Sequence, residues 1–168
     1  MESTIRDFGD QLRQRKGVGL FYYAGHGMQL NGENYLLPTD INPSSEEDVR
    51  YDAIPLGKLL AQMQVAKNTM NVVILDACRN NPFPKSFRTF NPGLVQVNAA
   101  AGTFISFATA PGQVAADGEG TNGLFTGNLL RHIDTPDIKI EEVFKRTTAD
   151  VYRESNQRQA PWVQYSVI

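Results

Sequence analysis

The chain predicts an α/β sandwich built on a mostly parallel sheet. Three observations carry this. The apolar runs "VGLFYYA" (18–24), "NVVILDA" (71–77) and "GTFISFAT" (102–109) alternate with amphipathic helical stretches, the pattern of layered α/β domains. "NVVILDA" has no polar face, as expected of a strand covered on both sides. At 168 residues the chain suits one domain and can bury a real core.

The elements follow in order. Ile5, Phe8 and Leu12 recur at helical spacing, so residues 2–15 form an amphipathic helix that Lys16-Gly17 ends. "VGLFYYA" follows as a buried strand. In "GMQLNGENYLLPTD", Asn31-Gly32 marks a tight turn between two short extended pieces. Residues 42–52, "NPSSEEDVRYD", read as a polar loop. Pro55 then opens a helix whose apolar stripe is Leu56, Leu59, Leu60 and Met63. "NVVILDA" is the next strand, and "RNNPFPKSFRTFNPGLVQVN" (79–98) reads as a long exposed loop. After "GTFISFAT", "APG" breaks the strand and "ADGEGTNG" is a turn region. Helices are expected over 123–132 and 140–154, the second turning Ile140, Val143, Phe144, Thr147 and Val151 inward. "QAPWVQYSVI" returns as an extended segment that docks Trp162.

Composition narrows the function classes. Sixteen basic against eighteen acidic side chains leave a net charge of −2, which gives no electrostatic case for nucleic acid or an anionic membrane. No apolar run reaches the roughly 20 residues that cross a bilayer, and "MESTIRDFGDQLRQRK" does not look like a signal peptide. A cytoplasmic protein is the expectation. One cysteine makes no internal disulfide, and one Cys with two His, His26 and His132, is too few for zinc. No cofactor is expected.

Chemistry concentrates at two strand ends. "VGLFYYA" runs into Gly25-His26-Gly27, and "NVVILDA" ends on Cys78. Ligands in parallel α/β sheets sit at the carboxyl ends of strands. A thiol attacks only as thiolate, and a histidine within hydrogen-bond reach takes its proton and returns it to a leaving amine. His26 and Cys78 are remote along the chain, so only adjacent parallel strands ending at one rim would unite them. The Gly27 and Cys78 N–H groups then suit an oxyanion hole, worth roughly 2.7–4 kcal/mol per donor. Each residue also has a plainer reading: a cysteine ending an apolar strand is often inert, and a histidine in such a turn satisfies backbone groups.

These motifs carry a resemblance. "YYAGHG" and "LDACRNNPF" resemble the histidine and cysteine motifs of the caspase-like cysteine peptidases, above all the bacterial metacaspase-related (orthocaspase-type) branch. "FATAPGQVAADGEGTNGLFTGNLL" resembles the small-subunit segment of that family, and "QAPWVQYSVI" fits its bacterial relatives. The resemblance implies a caspase-like α/β/α sandwich, Cys78 as nucleophile and His26 as general acid/base. It also implies a histidine- and cysteine-bearing part (1–84), an exposed linker loop (85–98) and a small-subunit-like part (99–168).

Three departures from the family pattern shape the expectations. Caspases that cut after aspartate carry Gln two places before the cysteine and Arg on the substrate strand. This chain has Asp76 and, counting on from "TAPG", Asp117. A pocket lined by carboxylates favours a guanidinium or ammonium group, so cleavage after Arg or Lys is expected. Asp76 also reads as a cap on backbone N–H groups, and "ADGEG" as a turn. Secondly, the carboxylates of calcium-dependent metacaspases give way to "IPLGKLL" and Lys85, so activity without calcium is expected; the acidic run Glu46-Glu47-Asp48 is the one alternative calcium ligand set, and it reads first as a solvated loop. Thirdly, the family begins with a strand, a helix and a second strand ahead of the helix that opens this sequence. An N-terminally truncated domain would leave "VGLFYYA" with an apolar edge for a partner chain or a second copy.

The leading function is therefore a cysteine endopeptidase acting on protein or peptide substrates; Arg79, Lys85 and Arg88 offer it a self-cleavage site, although their charges read first as those of a solvated loop. The alternative is a catalytically impaired homologue serving as an interaction module. Nucleotide binding is a third reading, but the glycines of "GVGLFYYAGHG" match neither Gly-x-Gly-x-x-Gly nor a phosphate-binding loop.

Overall fold

Eleven elements, six strands and five helices, form among the described residues of the computed structural model, which describes residues 1–78, 94–97, 99–111, 113, 115 and 121–166. At Cys78 only the backbone is described. Helix α1 (Glu2–Arg15) leads into β1 (Val18–Leu30) and β2 (Glu33–Leu37). Then come α2 (Glu46–Asp52), β3 (Ile54–Pro55), α3 (Leu56–Ala66) and β4 (Met70–Cys78). The chain continues through β5 (Thr103–Phe107), α4 (Leu124–His132), α5 (Ile140–Glu154) and β6 (Trp162–Tyr165).

The strands make one sheet in the order β3-β2-β1-β4-β5-β6. Pairing is parallel at its centre, β1 with β4 and β4 with β5, and antiparallel at both margins. The sheet is thus mixed rather than mostly parallel. The reason is local: a two-residue turn at Asn31 (φ 53°) and Gly32 (φ 81°) folds β2 back on β1, and only antiparallel strands close through so short a loop.

Helices cover both faces. Alternating residues of β4 divide between them, Val73, Leu75 and Ala77 meeting Ile5, Leu12, Leu56, Leu59 and Met63 of α1 and α3. Val72 and Ile74 meet Phe125, Leu129, Val143, Phe144 and Val151 of α4 and α5. An α/β/α sandwich results, and the predicted inward stripe of α5 is seen in the buried Val143, Phe144, Thr147 and Val151. On the outer side, His132 and Asp150 pair at 2.7 Å and Arg131 with Glu154 at 2.6 Å, fastening α4 to α5.

Four expectations change. β1 runs on through Gly-His-Gly to Leu30, and one face of its N-terminal half is open: Val18, Leu20 and Tyr22 are 62%, 54% and 43% exposed, while Phe21 and Tyr23 pack against the core on the other. The "polar loop" contains α2, nucleated by a reciprocal capping box in which the Ser45 hydroxyl accepts from the Asp48 N–H and the Asp48 carboxylate accepts from the Ser45 N–H. Trp162 pairs in β6 but stays 39% exposed, so it does not dock. Within the loop expected to be exposed, Leu94 is buried, and the Asn34 side chain holds both the N–H and the carbonyl of Val95 at 2.8 Å.

Candidate active site

The site is set by register. β1 and β4 run in the same direction, pairing Val18 with Met70 and ending with His26 opposite Cys78. Two residues remote in sequence thus have neighbouring backbones at one rim of the sheet, about 4.8 Å apart as adjacent strands lie. His26 is exposed there. At the same residue β1 gains its second neighbour, because pairing with β2 begins at His26 opposite Leu37 and continues to Leu30 opposite Glu33.

The two glycines around His26 are explained by packing. Above Gly25 lies the Tyr23 ring; a Cβ there would stand 2.7 Å from the Tyr23 hydroxyl and 2.9 Å from Cζ. At Gly27 a Cβ would press on Ala77 at 3.0 Å and on Leu94 at 3.2 Å. A side chain at either position would have to push its neighbours aside, the Tyr23 phenol at Gly25 and Ala77 and Leu94 at Gly27. Tyr23 uses its proximity: its hydroxyl lies 2.8 Å from the His26 carbonyl and 2.8 Å from the Leu37 carbonyl, and its single proton is shared between the two acceptors. Burial pushes this phenol up to about 12, so it remains a donor at any working pH.

Asp76 is buried two residues before Cys78. Its Oδ2 accepts from the Thr126 hydroxyl and from the Thr126 N–H at 3.3 Å, in the first turn of α4. That helix has Gly123 at its N-cap, no side-chain cap of its own and no acid in its first turn. β4 supplies both the cap and the negative charge that the helix N-terminus favours. Gly123 permits the approach, since a Cβ would come within 3.1 Å of Oδ2. The Tyr22 hydroxyl, 2.7 Å from Thr126 Oγ1, completes a chain of donors from β1 through α4 to β4.

The structure thus brings together the backbones of His26, Gly27 and Cys78, with Asp76 beneath on β4. Asp117 lies outside the described residues, as do Arg79, Lys85 and Arg88. Sequence reasoning missed Tyr22, Tyr23 and Thr126. The tyrosine pair directly before "AGHG" was the available signal, since two hydroxyls on successive strand residues must serve opposite faces. Among the described residues no three His, Cys, Asp or Glu side chains gather as a metal site would require. Asp48, in the acidic run considered for calcium, is held by Ser44 and Ser45, whose hydrogen bonds keep its carboxyl below the usual range. Among the described residues no helix is long and apolar enough to cross a membrane.

The family model described as a caspase domain matches residues 1–168. The human mucosa-associated lymphoid tissue lymphoma translocation protein 1 is 31% identical over 135 residues, covering 79% of this chain and 15% of the human protein. Its mouse homologue is 31% identical over 120 residues, 70% of this chain and 14% of that protein. The chain therefore spans about one seventh of the length of these curated relatives. Both are mammalian, so they do not single out the bacterial branch that the motifs resemble.

Proposed function

The chain belongs to the caspase-domain family of cysteine peptidases, and from that premise we propose that it hydrolyses peptide bonds after Arg or Lys through a Cys78–His26 dyad. The observation that carries this reading is the parallel register that sets Cys78 opposite His26. Cys78 attacks the carbonyl carbon of the scissile bond as thiolate, its proton having passed to the His26 imidazole. The oxyanion is held by the Gly27 and Cys78 N–H groups. Collapse of the tetrahedral adduct breaks the C–N bond; His26 gives its proton to the departing amine, leaving a thioester. Water, deprotonated by His26, then releases the acid and regenerates the thiol. No metal takes part in these steps, and activity is expected to survive chelation of calcium.

The basic-residue preference is supported by the buried Asp76 carboxylate close to Cys78, with Asp117 as its proposed companion. Turnover of matched peptides ending in Arg, Lys and Asp tests it: Arg and Lys substrates should be cleaved, and preference for Asp would end the proposal. Asp76→Asn separates the two uses of this carboxylate. A role in specificity lowers Arg turnover beyond any loss of stability; a capping role alone lowers stability and leaves the preference intact.

A second reading, an interaction module without catalysis, is favoured by one observation. Residues 18–25 of β1 pair on the β4 side only among the described residues, and Val18, Leu20 and Tyr22 are exposed beside them. Such an edge suits an added strand from a partner chain or a second copy. A thiol-directed arginyl probe discriminates, because a scaffold leaves Cys78 unlabelled. Residence in the cytoplasm, with no nucleic-acid or membrane partner, is part of the proposal.

A further inference from the structure

We infer that Tyr23 is a positioning residue for His26: its hydroxyl joins the His26 carbonyl to the Leu37 carbonyl, and its ring fills the space over Gly25. The inference rests on the dyad reading above and deepens it.

The geometry has three parts. Tyr23 lies three residues before His26 on the same strand, on the face of α1 and α3, where it packs against the core. Its hydroxyl bridges the pair of carbonyls at which β2 joins β1, each at 2.8 Å. Rotation of the His26 peptide would break that bridge at the residue whose ring must meet the thiol. The missing Cβ of Gly25 is what lets the phenol lie so close to the strand. One side chain therefore fixes the backbone from which the imidazole extends, without itself touching the reacting atoms. The need is specific to this place. Before His26, β1 has a neighbour on one side only among the described residues, so nothing else braces it on that side.

The test uses the single cysteine of the chain, whose alkylation by iodoacetamide reports one site. The pH midpoint of that reaction is measured for the wild type, His26→Ala, Tyr23→Phe and Gly25→Ala. Coupling to His26 holds the wild-type midpoint below the ordinary thiol value of about 8.5, and His26→Ala returns it there. Tyr23→Phe, which keeps the ring, should raise the midpoint by about one pH unit. It should also lower kcat on an arginyl peptide about tenfold with KM within about twofold, as misplacement of a catalytic group does. Gly25→Ala displaces the phenol and should do the same; in the Tyr23→Phe background it should move the midpoint no further. Should Tyr23→Phe fail to fold, Gly25→Ala decides alone. Wild-type midpoints in Tyr23→Phe or Gly25→Ala, with a raised midpoint in His26→Ala, overturn the role of Tyr23 and leave the dyad standing. A midpoint unmoved by His26→Ala removes the dyad and, with it, the role of Tyr23.

Discussion

β1 and β4 look alike in sequence and live differently in the fold. Each is a run of apolar residues that leads to one member of the proposed dyad, "VGLFYYA" before His26 and "NVVILDA" before Cys78. In β4 every residue from Asn71 to Ala77 is buried. In β1, alternate residues from Val18 to Tyr22 face outward. The difference comes from the helices: α4 and α5 pack over β4 and β5, so Val72, Ile74 and Phe104 enter their cluster while no β1 side chain does. α4 reaches β1 through the Tyr22–Thr126 hydrogen bond. An apolar run reports that a strand will be in a sheet, and the placement of the covering layer decides how much of it is dry. The strand that ends on Cys78 is therefore fixed by packing from both faces, whereas the strand that carries His26 is covered on one face before the histidine and is tied by hydrogen bonds near its rim.

The largest effect expected from this contrast is on stability. Leu75→Ala, at a position with no exposure, should cost about 2–5 kcal/mol, and Leu20→Ala, at 54% exposure, less than about 0.5 kcal/mol. Urea unfolding of the two variants measures both, and equal losses would show that β1 is as covered as β4.

Next in size is the clamp between β4 and α4. Asp76→Ala removes the only cap that α4 has among the described residues and leaves the Thr126 N–H without this acceptor, a loss of about 1.5–3 kcal/mol. Thr126→Ser keeps both bonds and should lie within about 0.5 kcal/mol of the wild type. Similar losses in the two variants would contradict the assignment of the clamp to these hydrogen bonds.

A pH dependence sharpens the rim side of the comparison. Because burial raises the Tyr23 phenol from 10 to about 12, the folded state favours its protonated form. The associated stabilisation is complete below pH 10 and disappears as the pH rises through 12, on the order of 2 kcal/mol in all. Urea midpoints taken between pH 9 and 12 should fall more steeply for the wild type than for Tyr23→Phe. Parallel curves would deny the buried phenol its part. The smallest effect is expected at the open face. Leu20→Ser should leave unfolding within about 0.5 kcal/mol while reducing self-association in sedimentation, if the β1 edge recruits a second copy.

Much of this was legible in the chain. Periodicity located α1, α3 and α5, and Asn31-Gly32 located the hairpin, because each signal is local. α2 escaped because Val49 is its only buried residue, which leaves no stripe to read; its capping box, Ser45 and Asp48, was the signal present. The antiparallel pairing of β3 on β2 and of β6 on β5 escaped because pairing direction depends on which strands meet, not on their composition. At the site, "AGHG" and "DAC" gave the residues to watch, and the register of β1 on β4 fits that reading. The chain of Tyr22, Thr126 and Asp76 was invisible, since α4 lies far from both strands in sequence and touches them only in the folded molecule.

The central claim is that His26 and Cys78 act as one unit across the β1–β4 seam. It is tested most directly by turnover of an arginyl peptide in the wild type, His26→Ala, Cys78→Ala and the double variant. Residues working as a unit lose activity non-additively. Each single variant should fall at least about a thousandfold, and the double variant no further than Cys78→Ala. A His26→Ala enzyme retaining a tenth or more of wild-type turnover, or independent losses that multiply in the double variant, would contradict the account.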